Sequence, residues 1–180
     1  MTGVTSSGKT FSAGFAFLQG EKSEDYHWAF LQAHAVGLNP GVLVMDGEEA
    51  VKIGAEAVWP NMPTLLCVWH ANMCVQENCK KRAGIYWPAF DQGWLNIQRS
   101  WTIEEFEDQW LQFQTQWAKE DYGQAMIDNI NYLADTWLKP RQKERLVDAW
   151  TSMHRHYGTL VTSRFVEILF PQEKKRSSVK

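Results

Sequence analysis

The stretch GVLVMDGEEAVKIGAEAVWPNMPTLLCVWH, Gly41–His70, decides the fold. It reads as strand, helix, strand. Val42-Leu43-Val44-Met45 is a short, wholly apolar run that stops at Asp46-Gly47, as a strand buried on both faces would. Glu48 to Val58 has helix composition, with Ala50, Ala55 and Ala57 in the body and Glu48 and Glu49 in the first turn. Trp59-Pro60-Asn61 halts it, and Leu65 to Trp69 forms a second apolar run closed by His70. Two readings of Asp46 stand side by side. It caps the helix that follows, or it occupies the carboxyl end of a buried strand, where open α/β sheets keep ligand-binding groups.

Composition bounds the remainder. The chain has 180 residues, 44% hydrophobic and 22% charged, enough for a substantial core in one domain or a domain with an insertion. Three cysteines without framework spacing suit a reducing compartment. The first residues lack the basic start and apolar run of a signal peptide, and no apolar stretch approaches the roughly 20 residues of a membrane helix. With a net charge of −3, the chain as a whole has no general attraction for nucleic acid, so such binding needs a local basic patch.

Working outward toward the start, Gly3 to Thr10 matches the phosphate-loop pattern G-x-x-x-x-G-K-[ST]. That pattern requires a buried strand before the loop and a helix directly after the lysine. Here Phe11, Ala13, Phe15 and Phe17 alternate instead, a strand signature, so Ser6 to Lys9 reads as a hairpin turn between antiparallel strands. Ser23 then starts a helix running to about Ala35, predicted to bury Trp28, Leu31 and Ala35, with His27 and His34 at its surface.

Beyond His70 the pattern is helical. Asn72 to Arg82 ends in a small basic cluster, Lys80-Lys81-Arg82, which reads as a solvated end more readily than as a phosphate contact. Phe90, Trp94, Ile97 and Trp101 keep helical spacing, and Thr102 with Glu105 makes a capping box. Phe106, Trp110, Phe113 and Trp117 form a stripe repeated by Met126, Ile130, Leu133 and Trp137, a helical hairpin that buries its aromatics. After Pro140, Leu146, Val147 and Trp150 continue on a further helix. Cys67, His70, Cys74 and Cys79 have a spacing that zinc could use, although the first pair is predicted at a strand end and the second on a helix. The order strand, strand, helix, strand, helix, strand, then helices, predicts an α/β protein with a mixed sheet.

Taken together, the Gly3–Phe11 hairpin, the Trp28 helix, Val44-Met45-Asp46-Gly47 and Leu66-Cys67-Val68-Trp69-His70 resemble Mutator-like element (MULE) transposases of the fungal type. Trp137 to Pro140, Asp148 to Trp150 and His156 to Arg164 add to the resemblance, which spans nearly the whole chain in order and spacing. It implies a ribonuclease-H-like core interrupted by an all-helical insertion. It also implies two Asp and one Glu holding two Mg²⁺ or Mn²⁺ ions that cut and join DNA at transposon ends. On this likeness residues 1–82 are a partial core, 83–155 the insertion, 156–170 a remnant of the C-terminal catalytic helix region, and 171–180 a basic tail. Asp46 matches the second catalytic aspartate, Glu167 is the candidate third acid, and both would be metal ligands. Cys67 and His70 match a C-x-x-H signature close to DNA. Nuclear location follows from the same likeness, which also admits a homodimer.

The departures from the family pattern set a further expectation. The first catalytic aspartate belongs on a strand upstream of the hairpin, and residues 1–17 contain no carboxylate. Thr162-Ser163-Arg164-Phe165-Val166-Glu167 is one residue longer than the family pattern, and one residue on a helix turns all that follows by about 100°. Pro171 then ends the helix early. The expectation is a transposase fragment, truncated at both ends and inactive as this chain. The alternatives are a domesticated DNA- or protein-binding module without catalysis, and a nucleotide-binding protein acting through Gly3–Thr10.

Overall fold

A computed structural model of the chain describes residues 1–4, 9–154 and 167–169. The chain divides into two compact units, residues 1–64 with 155–180, and residues 65–154. In the first unit β1 (Thr2–Val4) and β2 (Thr10–Ser12) precede α1 (Ser23–Ala35), β3 (Val42–Met45) and α2 (Glu49–Val58). Strand β4 (Thr64–Leu66) lies at the junction of the units, and β5 (Glu167–Leu169) returns to the first. The sheet order is β2-β1-β5-β3-β4. It is mixed, since β1 pairs antiparallel with β2 and parallel with β5, and β5 pairs antiparallel with β3. The mixed α/β class read from the element order is the class observed.

The hairpin also stands, with Thr2 opposite Ser12 and Val4 opposite Thr10; the turn residues 5–8 lie outside the described residues. A strand follows Lys9 where a phosphate loop needs a helix, so the nucleotide-binding reading has no support. The predicted alternation is shorter than expected, however. Strand β2 ends at Ser12, and Phe15 and Phe17 are exposed.

Strand β3 is buried at all four residues, as an unbroken apolar run predicts. Leu43 and Met45 join Phe30, Ala33, Val51, Ala55 and Trp59 in the core of this unit. Helix α1 departs from the expectation. Its buried residues are Ala29, Phe30 and Ala33, whereas Trp28, Leu31 and Ala35 face solvent. Gly54 of α2 supplies the reason. A Cβ there would lie 2.8 Å from His27 N and 2.8 Å from Tyr26 Cβ, so the two helices cross in close contact. The close approach falls on the first turns of α1, at Ser23, Tyr26 and His27, and this turns the Tyr26 side of the helix toward α2.

Two further expectations are corrected. The apolar run ending at His70 is not one strand: β4 ends at Leu66, and Trp69 and His70 lie on α3 (Val68–Ala83). A short apolar run does not distinguish strand from buried helix, and Ala71, Val75, Cys79 and Ala83 continue a buried i, i+4 stripe. Glu167, expected in a C-terminal helix region, lies in strand β5. Val166, Ile168 and Phe170 favour a strand, and Pro171 leaves too little chain for a helix. The proposed basic tail, 171–180, lies outside the described residues.

The second unit is helical: α3, α4 (Trp87–Gln98), α5 (Ile103–Trp117), α6 (Gln124–Tyr132) and a short α7 (Asp148–Thr151). Both aromatic stripes behave as read. Phe106, Phe113 and Trp117 are buried on α5, with Trp110 half-buried, and Met126, Ile130, Leu133 and Trp137 are all buried. Thr102 caps α5 by accepting from Glu105 N at 3.1 Å. Trp101 falls beyond α4 and is exposed, although Phe90, Trp94 and Ile97 are buried as predicted. Buried Asn129 joins α6 to α3, accepting from Arg82 Nε at 2.8 Å and donating to Cys79 O at 3.2 Å. Arg82 is thereby committed to the fold, which leaves Lys80 and Lys81 as the solvated part of the basic cluster.

Candidate functional site

The chemistry of the first unit gathers at the carboxyl end of β3. Asp46 follows the last buried residue of that strand and is exposed. It is not the cap of α2, because Glu48 holds that position and its side chain makes no capping bond. Of the two readings of Asp46, the strand-end position is the one observed. Among the described residues Asp46 makes no hydrogen bond or ion pair.

Asp46 lines a cavity of about 310 Å³ with Glu21, Tyr26, Phe30, Glu48 and Val51. The Tyr26 hydroxyl donates to Glu48 Oε2 at 3.3 Å. Burial first, then the charge of Glu48, the hydrogen bond to it and the charges of Glu21 and Asp46, push the Tyr26 phenol up to about 12. Three carboxylates thus face one phenol that stays protonated across the ordinary pH range. Tyr26 and Glu48 were not singled out from the sequence. Their signal was the i, i+3, i+4, i+7 stripe Tyr26, Ala29, Phe30, Ala33, with Glu48 three residues past the strand end.

Glu167 belongs to the same unit. On β5 its register partners are Val44 of β3 and Thr2 of β1, so along the neighbouring strand it is two positions short of Asp46. Cys67 and His70 fall in the other unit. Cys67 is buried at the position before α3, and His70 is in the first turn with its ring edge-on to Trp69, centroids 4.8 Å apart. Cys79 is fully buried, and burial raises its thiol to about 11. Cys67, His70, Cys74 and Cys79 do not gather into a ligand set.

A divalent cation bound by carboxylates needs several oxygen donors converging on one point. Among the described residues no three His, Cys, Asp or Glu side chains are placed to hold a metal ion. Glu48 is already engaged by Tyr26, and Glu21 joins Asp46 only as part of the cavity wall. The described donors therefore do not fit the pair of divalent ions that the resemblance implies.

A buried strand delivering an exposed acid at its carboxyl end, on a mixed sheet with helices, belongs to the α/β proteins. Within that class, residues 1–74 match the family model of the MULE transposase domain. The matched stretch carries Asp46, Cys67 and His70, and ends within α3. No curated protein and no solved structure matches the chain. No helix among the described residues is long and apolar enough to cross a membrane.

Proposed function

We propose that residues 1–74 and strand β5 are part of a ribonuclease-H-like, DDE-type transposase core, and that the chain does not cut DNA by itself. Asp46 and Glu167 are its acids in this reading, and Cys67 with His70 lies beside DNA. The observation that carries the proposal is Asp46 itself: an exposed carboxylate without a hydrogen bond, at the end of a strand buried on both faces, inside the stretch that matches the transposase domain. The register that sets β5 beside β3 supports the place given to Glu167. Two acids leave a divalent pair short of ligands and of charge compensation, which is why cleavage should fail. The partner is transposon-end DNA, and the location is nuclear.

The test incubates the chain with supercoiled plasmid carrying terminal inverted repeats, in Mg²⁺ and in Mn²⁺. The plasmid should stay supercoiled with the chain and with Asp46→Asn alike. Metal-dependent nicking lost in Asp46→Asn would overturn the inactivity. In a gel shift, transposon-end duplex should be retarded without metal, and less so as salt rises. A duplex that never shifts at low salt would remove the DNA-handling role.

A further inference from the structure

Helix α1 has two apolar faces. The inner one, Ala29, Phe30 and Ala33, is buried, while on the outer one Trp28 is 53% and Leu31 45% exposed. Trp28 is not alone there. With Phe17, Leu18, Gln19, Glu24 and Asp25 it lines a groove of about 320 Å³, and Phe17 is 96% exposed. Interaction surfaces are built from clustered exposed apolar side chains, and here two aromatic rings share one concave site.

The charge around the groove selects the partner. Two carboxylates, Glu24 and Asp25, are among the groove's lining residues, and no lysine or arginine is. Asp25 uses Oδ2 to accept from Lys22 N at 3.1 Å, and Glu24 makes no hydrogen bond or ion pair among the described residues. A phosphate backbone is repelled by such a rim. A guanidinium or ammonium is attracted twice, by the carboxylates and by the faces of the aromatic rings. An apolar neighbour on the same peptide would cover Leu18.

We propose that this groove docks a basic peptide segment of a protein partner, with an Arg or Lys side chain against Trp28 and Phe17 and its charge toward Glu24 and Asp25. The site is independent of the strand-end acid and of the transposase reading. Its test is fluorescence anisotropy of the full chain with a labelled short peptide of alternating arginine and leucine, beside a twin carrying glutamate for arginine. The arginine peptide should bind and the glutamate twin should not. Trp28→Ala and Phe17→Ala should each weaken binding about tenfold, the scale of a desolvated cation–π contact. Both positions are exposed, so circular dichroism should show both variants folded. Glu24→Gln should weaken binding less, and Trp101→Ala, a 68% exposed tryptophan in the other unit, should change nothing. Equal binding of the two peptides, insensitivity to Trp28→Ala, or no binding of the arginine peptide would overturn the proposal. Self-association abolished by Trp28→Ala without peptide binding would replace it with contact between copies of this chain.

Discussion

Replacing Gly54 by alanine sets two effects of known size against each other. In the body of a helix, glycine to alanine gains about 1 kcal/mol from propensity alone. Here the new methyl would lie 2.8 Å from His27 N, 2.8 Å from Tyr26 Cβ and 3.1 Å from Ser23 O. Two of those atoms are backbone, and they cannot rotate aside as the end of a long side chain would. Relief requires α1 and α2 to move apart, loosening Phe30, Val51 and Ala55, all buried between them and β3. Overpacking costs about 1–3 kcal/mol, and a backbone clash belongs at the upper end. The net expectation is a loss of about 2 kcal/mol, a fall in Tm of about 4–8 °C for a chain of this size. Thermal unfolding by circular dichroism reads it. Gly14→Ala, with nothing within 4 Å of the added Cβ, is the control and should hardly move. An unchanged or raised Tm for Gly54→Ala would mean that propensity wins, and that the close crossing which orients α1 does not exist.

The orientation of α1 can also be read directly: Phe30→Ala should cost about 3–5 kcal/mol and Trp28→Ala under about 0.5 kcal/mol in urea unfolding, and the reverse order would restore the Trp28 stripe to the core. Asn129→Ala should cost about 1–3 kcal/mol, because it strips the Cys79 carbonyl of its Asn129 side-chain donor and Arg82 Nε of its acceptor; a neutral result would show that water replaces both. Alkaline pH offers the fourth. A tyrosine whose phenol is raised from 10.0 to about 12 on folding loses its proton first in the unfolded chain, so stability should fall as pH rises through that window. Tyr26→Phe should lack this part of the fall in urea midpoints measured from pH 9 upward, and a parallel decline in both proteins would place the Tyr26 phenol at its ordinary value.

What the sequence made legible was local and periodic. The four apolar residues before Asp46 left no polar face, so burial on both sides followed. The aromatic stripes of α5 and α6 repeat at 3 and 4 over many residues, and a long run of large side chains fixes the buried face. Helix α1 was misread because it offers two stripes. Trp28, Leu31 and Ala35 are the more apolar, yet the buried face follows from Gly54, a residue on another helix that lets the Ser23, Tyr26 and His27 side of α1 come close. The Leu65–His70 run failed for a different reason, since its few residues satisfy strand and buried helix equally.

At the site, one acid was legible and its surroundings were not. Asp46 announces itself by ending an apolar run, but Tyr26 and Glu48 meet across 22 positions, and no local pattern records that. Glu167 changes the argument most. On a helix, the extra residue before it would turn its direction by about 100°, a partial error that a neighbouring side chain could absorb. On β5, held between β1 and β3, a shift of one residue exchanges the two faces of the sheet outright. Whether this acid shares the face of Asp46 is therefore an all-or-none property of the register that sets it opposite Val44, and not a matter of degree.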